Sequence, residues 1–308
     1  MTVIDAAAET VTETPTDDRG THSTGPTGEG EQRIGPWRRF RTSWLGTPTV
    51  ALAVLWLALV LVAAVAPFLL TAGDPLAGDI AQKLLPPSGD HWFGTDQLGR
   101  DIYTRTVYGA GLTVQAVLVA LALGLTVGSV LGLVSGFAGG VVDAVLMRIA
   151  DILLAIPTLL LSLAVIVALG FGTLNVAVAV GITSVASISR VMRAEVLKVK
   201  QSPYIEAARA GGARTGRILF RHVLPNSLGP VIVLGVLEFG SAILAISALS
   251  FLGYGATPPA PEWGALVAQG RDFLAGQGWI ATLPGLVVAA SVLSANRIAN
   301  ALDDRSER

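Results

Sequence analysis

Long apolar runs alternate with short polar ones along most of this chain. Six stretches approach the roughly 20 apolar residues a spanning helix needs: 50–70, 112–137, 152–169 (opening as early as Val142), 174–192, 230–252 and 279–295. None shows the alternation of a half-buried strand, and all are rich in Leu, Val and Ala, so each predicts a helix. The fold class that follows is all-α, a polytopic transmembrane bundle of six spans. Residues 1–32 break the pattern. They are rich in Thr, Glu, Asp and Gly and nearly lack large apolar side chains, so they cannot bury enough surface to offset ordering entropy. They read as a disordered tail, and lack the basic start and apolar core of a signal peptide. An arm at 33–49 precedes the first span, and a loop at 71–111 joins it to a core of five spans within 112–300. That core holds a polar loop at 193–228, and 301–308 form a short tail.

Composition agrees with this reading. The chain is 52% hydrophobic and 14% charged, against about a quarter charged in soluble domains. A net charge of −1 gives no electrostatic case for nucleic acid. There is no cysteine, and His22, His91 and His222 have no ligand-like spacing, so neither disulfides nor a metal site is expected.

Charge also sets the orientation. With the N-terminus inside, the inner segments collect Arg33, Arg38, Arg39, Arg41, Arg148, the basic residues from Arg190 to Arg221, and Arg297, Arg305 and Arg308. The outer loops hold only Lys83, Arg100, Arg105 and Arg271. The positive-inside rule then places both termini and the 193–228 loop in the cytoplasm.

Within that loop, Ser202-Pro203 suits a helix start, with Ser as N-cap and Pro in the first turn. Glu206 falls in the first turn, where its charge favours the helix dipole. Ala207, Ala208 and Ala210 favour helix, and Gly211-Gly212 should end or bend it. A second helical stretch, 214–223, leads to Pro225 and the next span. The charges alone fit a solvated basic loop. They do not account for the small residues after Glu206, the glycine pair and Leu224-Pro225 together.

Other features admit two readings each. Gly124, Gly128, Gly132 and Gly136 form a smooth stripe that serves either packing within the chain or an interface with another subunit. Glu238 lies about 12 Å along its helix from Pro230, near mid-bilayer. It either faces a translocation path, meeting a cation such as a peptide amine, or is a protonated or hydrogen-bonded carboxyl packed against a partner subunit. Arg148 and Asp151, three apart, suggest an ion pair. Asp96, Arg100 and Asp101 suit either an external protein contact or local pairing in a turn, and His91-Trp92 suits an interfacial anchor.

Four stretches carry a resemblance to permeases of the ABC importer superfamily, of the peptide/nickel type and its C subunit. They are Glu206-Ala207-Ala208 with Gly212 and Arg221-His222-Val223-Leu224-Pro225-Asn226; Phe93-Gly94-Thr95-Asp96-Gln97-Leu98-Gly99-Arg100-Asp101; Ala248-Leu249-Ser250-Phe251-Leu252-Gly253-Tyr254-Gly255 with Pro258-Pro259 and Trp263-Gly264; and Met147-Arg148 with Asp151 and Pro157. The resemblance covers about 35–300. It implies an ABC type I permease fold in a bacterial cell membrane, a second related permease subunit, two ABC ATPase subunits and an extracytoplasmic substrate-binding protein. It further implies that Glu206, Ala207, Ala208 and Gly212 make or permit an ATPase contact while Leu224 and Pro225 anchor the next span. Many relatives carry an acidic residue near Ile246; here Glu238 stands eight residues earlier.

The residues themselves speak to catalysis. Lys83, Lys198 and Lys200 are the only lysines, and none sits in a Gly-x4-Gly-Lys-Ser/Thr phosphate loop. The chain is therefore expected to be no enzyme, with ATP and Mg on partner subunits. Other classes remain: a secondary transporter or channel without ATPases, or a nickel or other solute importer subunit of the same family.

Overall fold

A computed structural model describes residues 48–306, with side chains to residue 303. The tail at 1–32 and nearly all of the arm at 33–49 lie outside the described residues. Ten helices follow in chain order: α1 Pro48–Val65, α2 Ile102–Ala138, α3 Gly140–Ala155, α4 Thr158–Leu169, α5 Thr173–Lys200, α6 Pro203–Ala210, α7 Thr215–Ile218, α8 Leu224–Phe251, α9 Trp263–Gly270 and α10 Trp279–Ser306. Among the described residues there is no strand, only two isolated bridges, Gly78 with Arg100 and Thr95 with Asp101.

Five segments are long and apolar enough to cross a membrane: α1, α2, α5, the run from α7 through α8, and α10. The third expected span is not one helix. α3 and α4 meet at 99°. The cause is Pro157: it lacks an N–H and drives Ile156 into extended backbone (φ −89°, ψ 129°). Neighbouring spans outrun their expected limits. α2 starts ten residues before 112, because Asp101 caps it by accepting from the Thr104 N–H. α5 continues to Lys200, whose ammonium donates to the carbonyls of Gly136 and Phe137 and so ties it to the end of α2.

α2 and α5 pack along most of their length, and the glycine stripe is the reason. A methyl at Gly128 would sit 2.8 Å from the Ile188 side chain, one at Gly132 2.4 Å from the Ser189 carbonyl, and one at Gly136 2.9 Å from Val196. The stripe serves packing inside the chain, so of its two readings the subunit interface is set aside. One apolar cluster joins Ala110–Ala120 of α2, Val176–Val180 of α5, Ala242–Leu249 of α8, Trp263 and Val288.

The 71–101 loop is built around Asp96. Its carboxylate accepts from the N–H groups of Leu98 and Arg100 and from Arg100 Nε at 2.7 Å, and Arg105 Nε lies 3.8 Å away. Asp96 and Arg100 are buried, so local pairing is their role and an external protein contact is not. Gly99 has φ +72°, and a Cβ there would stand 1.7 Å from the Asp79 carbonyl. His91 is more than an interfacial anchor: its ring bonds Asp101 and Gln82, each at 2.9 Å.

α9 is held by a fully buried carboxylate. Glu262 accepts from the N–H groups of Gly264 and Ala265 and from the Thr113 hydroxyl of α2. Burial pushes its carboxyl pKa up, against the opposing pull of these donors.

Candidate functional site

The segment from Ser202 to Pro225 forms one structured unit. α6 has a single buried residue, Ile205, and carries Glu206 in its first turn. Ser202 occupies the N-cap position but does not cap: its hydroxyl donates to the Val199 carbonyl instead. The helix closes with a Schellman motif. Gly212 has φ +74°, its N–H donates to the Arg209 carbonyl at 3.0 Å, and the Ala213 N–H donates to the Ala208 carbonyl at 3.0 Å. Gly212 is thus the left-handed residue that ends the helix, a position that strongly favours glycine.

Beyond this turn α7 runs without a break into α8 through a π turn, Leu219–Val223, where the Leu224 N–H reaches the Leu219 carbonyl. The widened turn accommodates Pro225, which cannot donate to the carbonyl four residues back and whose ring would crowd it. The Asn226 side-chain amide donates to the His222 carbonyl at 2.6 Å. Leu224-Pro225 therefore lies within a continuous helical path and is not a loop end.

The six loop residues singled out from sequence separate into two groups. Glu206, Ala207, Gly212 and Pro225 are exposed, while Ala208 and Leu224 pack against the chain's second apolar cluster. Sequence reading missed what anchors the unit. Ile205, Ile218 and Val223 are almost completely buried against Met192, Val196 and Val199 of α5 and Val231 of α8. The aliphatic residues at 205, 218 and 223 within a basic stretch were the available signal. On the outside, Tyr204 and Phe220 remain 45% and 67% exposed. The unit thus presents small and aromatic surface outward on a base fastened to two spans.

Glu238 stands at the middle of α8, far from this loop. It is half-buried, and two hydroxyls of α5 donate to it: Ser184 at 2.9 Å and Ser187 at 3.3 Å. The expected Arg148–Asp151 pair does not form. Asp151 pairs with Arg190 and Asp143 with Arg193 at 2.5 Å, so both carboxylates bind α3 across to α5 while Arg148 is exposed. Among the described residues no group of three or more His, Asp or Glu could hold a metal ion.

Comparison with known proteins places this architecture. Residues 128–308 match the family model described as binding-protein-dependent transport system inner membrane component. A dipeptide transport system permease protein of Alkalihalophilus pseudofirmus is 39% identical over 88% of this chain and 89% of its own length. A probable D,D-dipeptide transport system permease protein of Escherichia coli K12 is 40% identical over 84% and 87%. A glutathione transport system permease protein of Shigella flexneri is 41% identical over 87% and 88%. In fold, the chain matches a chain of the inward-facing MetNI methionine ABC transporter with a TM-score of 0.51 at 18% identity, over 64% of this chain and 96% of that one. With these relatives and its spanning helices, the chain is a multi-pass inner-membrane permease subunit belonging to the binding-protein-dependent transport system inner membrane component family.

Proposed function

We propose that this permease forms half of the translocation pathway of an ATP-driven importer for di- or oligopeptides, or small solutes of similar size such as glutathione. The relatives' names support that substrate class. In this reading a second related permease supplies the other half of the pathway, two ABC ATPase subunits bind ATP and Mg, and an extracytoplasmic binding protein delivers the solute. Both termini and the 202–225 unit face the cytoplasm in this reading, which the distribution of Arg and Lys supports.

One observation carries the coupling role: α6 exposes Glu206 and Ala207 and ends at an exposed Gly212, while Ile205, Ile218 and Val223 lock the same unit onto α5 and α8. The described residues leave that face uncovered, and the buried face can pass a push directly into two spans. Co-expression with ABC ATPases of the same organism tests the reading. The wild-type chain should co-purify with them, and Ala207→Trp should abolish that association while leaving membrane insertion intact. A chain that never associates with an ABC ATPase would remove the basis for this function. Glu238, held by Ser184 and Ser187, is proposed to line the pathway and meet a cationic group of the solute. Glu238→Gln should lower uptake of solutes carrying a free amine more than uptake of neutral ones, and equal uptake of both would count against it.

A further inference from the structure

The break between α3 and α4 leaves backbone polar groups without partners. α4 has no side-chain cap at Pro157, and no protein acceptor among the described residues receives the N–H groups of Thr158, Leu159 and Leu160. The 99° bend likewise prevents the last carbonyls of α3 from finding donors in the next turn. These groups are not hidden: Ala155, Ile156, Pro157, Thr158, Leu159 and Leu160 are all exposed.

Depth makes this informative. α4 has 12 residues and rises about 18 Å, short of the roughly 30 Å of hydrocarbon. Its far end is fixed beside α8, where the Gly172 N–H donates to the Tyr254 carbonyl at 3.1 Å. On the proposed orientation, with the far end of α4 at the extracytoplasmic face, the break falls below the hydrocarbon surface. Non-helical backbone at that depth is tolerated only when buried in protein or facing water, because lipid tails offer no hydrogen bonds. The described residues do not bury it.

Resting on the permease reading, we infer that the Ile156–Pro157 break lines the water-filled solute path, its free N–H and C=O groups solvated there. Pro157 makes the opening: without it the span would close its own hydrogen bonds and present a smooth apolar wall. The path acquires a polar patch made of backbone in a span whose side chains are nearly all apolar.

The chain contains no cysteine, so single-cysteine variants report without background from this subunit. Ala155→Cys, Thr158→Cys and Leu159→Cys would each be expressed in the source bacterium's own membranes, with the transporter assembled. Each is treated with a charged, membrane-impermeant maleimide, read as a mass shift on this chain. Val167→Cys is the comparator: it is 77% exposed and nine residues along α4, on the opposite face. The thiolate is the reacting species and needs water, so Thr158→Cys should label on the order of tenfold faster than Val167→Cys. If Thr158→Cys fails to insert, Ala155→Cys and Leu159→Cys give the same comparison. Labelling at the break no faster than at Val167 would show the groups sealed by lipid or by another subunit, and the inference would fall even with transport intact. Fast labelling in a chain that never couples to ATPases would instead leave the wet break standing and remove the permease mechanism.

Discussion

Gly132 and Gly229 are both helical glycines, yet opposite outcomes are expected on changing them. A methyl at Gly132 meets the Ser189 carbonyl at 2.4 Å, whereas one at Gly229 meets nothing within 4 Å. Gly132→Ala should destabilise the detergent-solubilised protein by about 1–3 kcal/mol through overpacking. Gly229→Ala should be neutral or stabilising by up to about 1 kcal/mol from helix propensity. Thermal denaturation of the two variants checks both. Glu262→Ala should be more severe, because it orphans the Thr113 hydroxyl and the N–H groups of Gly264 and Ala265 in a buried setting. A loss of about 2 kcal/mol or more is expected, with Glu262→Gln milder because it keeps one acceptor oxygen. The glycine stripe was visible in the sequence as a four-residue period, but its partner helix was not, since spacing along one helix does not say what approaches it. Glu262 passed unnoticed for a related reason: next to Pro261 and Trp263 it looks like loop polarity, and only the approach of α2 makes it a buried hub.

At the scale of elements, the spans were legible because continuous apolar length is a direct consequence of bilayer thickness. Their ends were less so. Capping at Asp101 and tethering through Lys200 extend α2 and α5 beyond their apolar cores, and both depend on side chains that hydropathy scores as loop. The third span shows the other limit: Pro157 was in view, but a proline can kink a helix slightly or turn it by 99°, and neighbouring helices decide which. α6 was legible in nearly every residue, since small residues, a first-turn Glu and a Gly pair are local signals. The Schellman geometry yields an element-scale prediction. Gly212→Asn, which tolerates the left-handed region, should retain α6, whereas Gly212→Val should fray its last turn. Hydrogen exchange at Gly211 to Ala213 in the two variants reads the difference.

At the scale of the whole molecule, the account links an exposed loop to the spans through one apolar cluster. Ile205, Ile218 and Val223 connect α6 and α7 to α5 and α8, and α5 in turn carries the serines that hold Glu238. Motion delivered to α6 thus has a packed route to mid-membrane. The central claim is that Glu206 and Ala207 transmit ATPase motion without being needed for the chain's own fold, whereas Gly212 shapes the end of the helix that carries them. Its most direct test is binding-protein-stimulated ATP hydrolysis by the reconstituted transporter, measured for wild type and for Glu206→Ala and Ala207→Trp variants of normal thermal stability. The account predicts that stimulation falls on the order of tenfold, equivalent to about 1.4 kcal/mol of lost coupling, while unstimulated hydrolysis by the ATPases persists. Full stimulation in both variants would contradict it.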